Sequence, residues 1–187
     1  MAKLSALAKE MGATTQFTAV ESGKALEYMA MAGWKTKQMI GGLPGIMNLA
    51  AASGEDLGSV SDIVTDALTA FRMNAEDAGR FADVLAQASS NANTNVGMMG
   101  ATFQKVAPVA GALGYSVEDM SLAIGLMANA SIKADVAGTS LKTSLANMAK
   151  PTKQMKAYMD RYGISLTRSD GTMKTFREVV DNLRGSL

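Results

Sequence analysis

Three adjacent carboxylate pairs, Glu55-Asp56, Glu76-Asp77 and Glu118-Asp119, are the residues of this chain best suited to chemistry. Paired carboxylates can divide general-acid and general-base work between them. The same pairs have a plainer use. Each falls at the start of a helical run, where an acid accepts from orphan backbone N–H groups and meets the positive end of the helix dipole. Thr102 and Lys105 have the spacing of a hydroxyl and a lysine base, but no second motif supports them. Gly41-Gly42-Leu43-Pro44-Gly45 is the one glycine-dense loop; it lacks the Lys-Ser/Thr ending of a P-loop and the spacing of a dinucleotide fingerprint, and reads as a break in a helix. Asp62 and Asp66 share a helix face without the ligand number that calcium needs, and read as solvated. The chain has no cysteine and no histidine, which removes thiolate and imidazole catalysis, disulfides and the usual zinc and haem ligands together. No catalytic, metal-binding or cofactor-binding residue is assigned, and the chain is not expected to be an enzyme.

The elements that must position these residues are helices. Apolar residues make up 48% of the chain but aromatics only 5%, with 15 methionines, so the residues that favour helix dominate and those that build sheets are scarce. Helix starts carry one signature, an apolar residue, a cap and an acid three positions after the cap: Phe17-Thr18…Glu21, Met73-Asn74…Asp77 and Tyr115-Ser116…Asp119. Thr175…Glu178 repeats the cap and acid. Helix ends carry another, Leu/Met-Ala-x-Ala-Gly/Ser, beginning at Met29, Leu49, Leu85 and Met127. Their spacings of 20, 36 and 42 residues are unequal, so the fold expected is all-α, an irregular array of helical hairpins. Helices are expected over about 2–11, 18–32, 36–52 with a break near Gly41 to Gly45, 56–71, 74–89, 95–112, 116–130, 135–149 and 152–162. Ser169-Asp170-Gly171 between two short alternating runs predicts a small β-hairpin near the C-terminus. The expected division is a helical core domain over 1–162, then hairpin and terminal helix over 163–187, packed on it by Phe176, Val179, Val180 and Leu183.

A net charge of +1 gives no field that would favour nucleic acid. From Val84 to Ile132 the only charges are Lys105, Glu118 and Asp119, so this stretch is either unusually buried or covered by a partner. The methionines, among them Met98 and Met99, suit core filling and also a surface that packs in more than one way. Trp34, the single tryptophan, follows a helix end; it is either a partner-facing anchor or is packed beneath a loop. The uncharged tracts Met39 to Gly54 and Gln87 to Gln104 are too interrupted to span a membrane, although small residues such as Ala107, Gly111 and Gly114 permit tight helix contacts, in lipid as in water.

Several runs resemble the core region of phage tail tape measure proteins: Met11-Gly12-Ala13-Thr14-Thr15-Gln16-Phe17-Thr18, Tyr28 to Trp34, Leu43 to Gly54, Ala88 to Thr94, Val106 to Tyr115, and Gly163-Ile164-Ser165-Leu166. They cover nearly the whole chain in the family's order. The resemblance implies a segment of a long helical chain that lies inside the tail tube of the virion, sets tail length during assembly in the host cytoplasm and leaves at DNA ejection. It implies tail tube proteins, assembly chaperones, tail-tip or baseplate proteins and self-association as partners, no catalytic residues and no cofactor. Family members extend well beyond both ends of this sequence. Two other functions compete: a membrane-active module that aids genome ejection, and a cell-wall hydrolase of the kind fused to some tape measure chains.

Overall fold

Helix follows helix through residues 2–185, the part of the chain that the computed structural model describes. The order is α1 (Ala2–Thr14), α2 (Ala19–Met31), α3 (Thr36–Ser53), α4 (Leu57–Ala70), a 3₁₀ turn (Ala75–Asp77) leading into α5 (Ala78–Ser90), α6 (Val96–Leu113), α7 (Val117–Asn129), α8 (Ala134–Ala149), α9 (Lys153–Arg161) and α10 (Phe176–Gly185). From α2 to α8 each helix packs most closely on the helix two places along the chain. The result is two rows, α2-α4-α6-α8 and α3-α5-α7, with short loops carrying the chain from one row to the other. Helix α1 covers α2, and α10 rests on α7. Between the rows lies a core that includes Leu43, Ile46, Val64, Leu68, Phe81, Met99, Phe103 and Met120. Phe103 is its centre, edge-on to both Phe71 and Phe81 with ring centroids 5.9 and 5.6 Å away.

Small residues let the helices of a row come this close. A methyl group on Gly45 of α3 would lie 2.7 Å from the Gly79 Cα of α5, where no atom fits. Gly100 and Gly111 of α6 face α4 in the same way, the first against the Ile63 side chain and the second against the Ala70 carbonyl. On α8, a Cβ at Gly138 would stand 3.0 Å from the Thr102 carbonyl oxygen of α6. Two buried hydroxyls then bridge the gaps: Ser61 donates to the Ala25 carbonyl of α2 at 2.9 Å, and Thr102 to the Ala134 carbonyl of α8 at 3.0 Å.

Five helix ends share one closure. After α2, α4, α6, α7 and α9 a left-handed residue is followed by an apolar residue whose N–H reaches back five positions: Trp34 to Met29, Met73 to Leu68, Tyr115 to Ala110, Ile132 to Met127 and Ile164 to Met159, all at 2.8–3.0 Å. The left-handed position is Gly33, Gly114 or Gly163 in three of these ends. In the other two it is Arg72, with φ 55°, and Ser131, with φ 65°, which carry a side chain where glycine is favoured.

Two expectations are corrected. Helix α3 is continuous through Gly41 to Gly45: Pro44 lies inside it on the exposed face, and Gly42 and Gly45 are used for close contact with Trp34 and Gly79 instead of for a break. The expected β-hairpin is a single antiparallel bridge, Thr167 with Met173, and no strand forms among the described residues. Side chains take the groups that a ladder would use: Ser165 Oγ accepts from the Thr167 N–H and donates to its carbonyl, Arg168 donates to the Met173 carbonyl, and Asp170 accepts from the Thr172 N–H.

Gly111→Ala is therefore expected to destabilise the fold by about 1–3 kcal/mol through overpacking. Gly23→Ala, in open space on α2, should gain roughly 0.5–1 kcal/mol from helix propensity. Arg72→Gly and Ser131→Gly should each gain up to about 1 kcal/mol by relieving the left-handed conformation. Urea midpoints measure all four, and a Gly111→Ala protein as stable as the parent would remove the close-crossing account.

Candidate functional site

The capping residues come first, since the acids are concentrated there. Thr18 Oγ1 accepts from the Glu21 N–H at 3.2 Å, and the Glu21 carboxylate accepts from the Thr18 N–H at 2.7 Å. Ser116 and Asp119 repeat the exchange at 3.1 and 3.4 Å, and Thr175 and Glu178 at 3.2 and 2.6 Å. At Asn74, the backbone N–H donates to Asp77 Oδ2 at 2.9 Å. Asn95 and Thr152 cap α6 and α9 through the N–H groups of Met98 and Met155. These two stand before helices without an acid three residues later, which is why the sequence signature passes over them.

The three acid pairs do not converge on one another. Asp56 accepts from the Gly58 N–H of its own helix at 3.3 Å, whereas Glu55 reaches the neighbouring helix of the row and accepts from the Gly97 N–H in the first turn of α6 at 3.2 Å. Glu118 is bound by both Nε and Nη2 of Arg80, which ties the start of α7 to α5. Glu76 is exposed. Thr102 and Lys105 also part company: the hydroxyl donates to the Met98 and Ala134 carbonyls, and the ammonium pairs with Asp135 at 2.8 Å. Among the described residues no group of three or more acids could hold a metal ion.

Hydrogen bonds from the Thr18 backbone, and then from its hydroxyl, hold Glu21 below the usual carboxylate range; the Thr175 backbone and hydroxyl do the same for Glu178. Burial, reinforced by Asp62, pushes Asp66 up. Burial also raises Tyr115, with Asp119 adding to it.

Of the candidate partner-facing residues, Met99 is fully buried in the core, since it lies on the face of α6 that meets the opposite row; it is corrected to a core residue. Met98, its neighbour on the other face, is 40% exposed. Trp34 is half-buried, with its ring over Gly42. Its apolar closure of α2 accounts for its position after a helix end.

The low charge between Val84 and Ile132 has two structural causes. Helix α6 is enclosed by α4, α5, α7 and α8 and needs no charge. Helix α7 differs: Leu122 and Leu126 face outward, beside a groove of about 310 Å³ that they line with Val84, Ala88, Asn91 and Ser121. The Ser121 hydroxyl is buried and has no hydrogen-bond partner. A second apolar groove, of about 480 Å³, separates α10 from the end of α8 and is lined by Met127, Leu141, Met148, Phe176 and Val179. No helix among the described residues is long and apolar enough to cross a membrane.

Fold and surface together define a helical scaffold, in which polar groups close helix ends and join neighbouring helices within a row, and a charge-poor face is left outward. The chain belongs to the phage-related minor tail protein family, whose model matches residues 5–187. It is 36% identical over 184 residues to the tape measure protein of Pneumococcus phage Dp-1, covering 98% of this chain and 16% of that one. It is 22% identical over 186 residues to the probable tape measure protein of Escherichia phage P2, covering 100% of this chain and 23% of that protein. The chain thus spans less than a quarter of the length of these relatives. No solved structure matches it.

Removal of the half-buried Ser116 hydroxyl by Ser116→Ala is expected to cost about 1 kcal/mol, while Glu76→Gln should stay within about 0.5 kcal/mol of the parent; chemical denaturation reads both. The pH dependence has a definite sign. Glu21 and Glu178 titrate lower in the fold than in the unfolded chain, so their contribution is complete above the ordinary value of 4.5 and is lost as pH falls through their lowered values. Glu21→Gln should flatten that acid limb in a pH series of unfolding midpoints. Asp66 has the opposite sign, so Asp66→Asn should raise the midpoint at neutral pH, an advantage that disappears in acid where the carboxyl is protonated.

Proposed function

We propose that this domain is a structural and assembly segment of a phage, or prophage-derived, tail tape measure protein, contributing to tail length determination and tail assembly. The observation that carries this is the 36% identity to the Dp-1 tape measure protein across 98% of the chain. The proposed setting is the virion tail, inside the tube, with tail tube subunits, assembly chaperones and tail-tip or baseplate proteins as partners, and the host cytoplasm during assembly. What the geometry adds is a reason for the composition. Rows held by alanine, glycine and serine contacts bury less apolar area per contact than leucine-rich bundles, so the free energy separating the folded array from a drawn-out or repacked helix is modest.

Two measurements test this. An in-frame deletion of the segment in a phage that carries it should shorten the tail by as much as roughly 280 Å, the length of 187 residues as continuous helix, and a tandem duplication should lengthen it by a similar amount. Electron microscopy that finds parental tail lengths in both would overturn the length role. Thermal unfolding of the isolated domain should fall in the ordinary range of about 45–65 °C. A midpoint above about 90 °C would oppose the repacking account.

A further inference from the structure

We infer that residues 151–185 form an arm that leaves the helical array as a unit, turning about Lys150 and Pro151, while α1 to α8 stay folded. The inference rests on the fold alone and holds whether or not the domain sets tail length.

Polar bonds divide at this point in the chain. Inside the arm, Asn182 of α10 accepts from the Ser165 N–H, which ties α10 to the segment that follows α9. Arg168 donates to the Met173 carbonyl and pairs with Glu178, and Arg177 pairs with Asp181. Asn182 aside, no described residue from Pro151 to Gly185 has a hydrogen bond or ion pair to residues 2–149. The array is different: Ser61, Glu55, Thr102 and the Arg80–Glu118 pair each join two of its helices.

Apolar contact alone therefore seats most of the arm, and that contact is shallow. Helix α9 has no buried residue. Phe176 meets Tyr115 edge-on with ring centroids 6.5 Å apart, and only Phe176 and Met173 of the arm pack on the continuous core. Leu166 and Val179 are buried outside it. Two apolar grooves stay open beside the end of α8, one of about 480 Å³ toward α10 and one of about 330 Å³ toward α9 and the segment after it. Methionines line both: Met127, Met148 and Met155 the first, Met148, Met159 and Met173 the second. Unbranched thioethers adapt to more than one packing, so a seam made of them parts and closes again without one fixed fit.

The hinge is written into the backbone. Pro151 disfavours helix at the residue before it, and Lys150, with φ −130° and ψ 71°, ends α8; Thr152 then caps a new helix. Rotation there breaks no helical hydrogen bond. Few buried apolar contacts and no polar tie are the conditions under which a segment opens well below the global unfolding free energy.

Hydrogen exchange of the whole chain in rising urea, with Trp34 fluorescence alongside, tests this. Trp34 reports the array, since its ring lies over Gly42 of α3. Amides of α9 and α10 should share one opening, exchange on the order of 100-fold faster than those of α4 and α6, and lose protection before the Trp34 transition begins. Val179→Asp should speed exchange in both α9 and α10 by roughly tenfold or more and leave the Trp34 midpoint unchanged. Three results each overturn the inference: protection in α9 and α10 equal to that of α4 and α6, fast exchange of α10 without α9, or a lowered Trp34 midpoint in Val179→Asp. The first two are read on the parent chain and need no variant.

Discussion

The fold depends on how closely two helices of a row can approach, and that distance is set by atoms that are missing. At Gly45 facing Gly79, at Gly100 and Gly111 facing α4, and at Gly138 facing α6, a single added carbon would meet backbone or a core side chain. Close approach brings backbone carbonyls within reach of Ser61 and Thr102, so the polar bridges between neighbouring helices of a row follow from the same constraint. Tight packing of small side chains also explains how a chain with few aromatics fills a core: Phe71, Phe81 and Phe103 meet at one point, and alanine, leucine, valine, methionine and isoleucine complete the rest.

Once the rows are formed, most of the polar residues that could have done chemistry are already occupied. Glu21, Asp119 and Glu178 accept hydrogen bonds at the first turns of their own helices, and Glu55 does so for α6, a helix 42 positions away in sequence. Glu118 and Lys105 are held in ion pairs between neighbouring helices. Pairs that look catalytic as dipeptides are separated by the fold into unrelated structural tasks. This distribution suits a scaffold and agrees with the family to which the chain belongs.

The surface carries the remaining information. A charge-poor stretch is ambiguous in sequence, because a helix without charge is either enclosed or awaiting a neighbour. Here α6 is enclosed and the outer face of α7 is exposed, and the two lie within the same run from Val84 to Ile132. The methionines divide likewise. Met29, Met99 and Met120 are fully buried, while Met31 is 67% exposed.

Helix class, the caps at Thr18, Ser116 and Thr175, and the small-residue exits were legible in sequence because each is set by residues within about one turn of one another. Asn95 and Thr152 were missed where the local signature is incomplete, and the hairpin was overestimated because Asp-Gly fixes a turn but not the ladder beyond it. Trp34 and Pro44 could not be placed locally at all: the ring's site depends on Gly42, and the helix's survival through Pro44 depends on its packing against α5. The sequence by itself determined where helices begin and end and that the core would be made of small and flexible groups. Only the tertiary structure decided which glycines meet across a row, which acid serves a distant helix and which leucines remain outside. Those outcomes depend on contacts between residues tens of positions apart, and no local pattern encodes them.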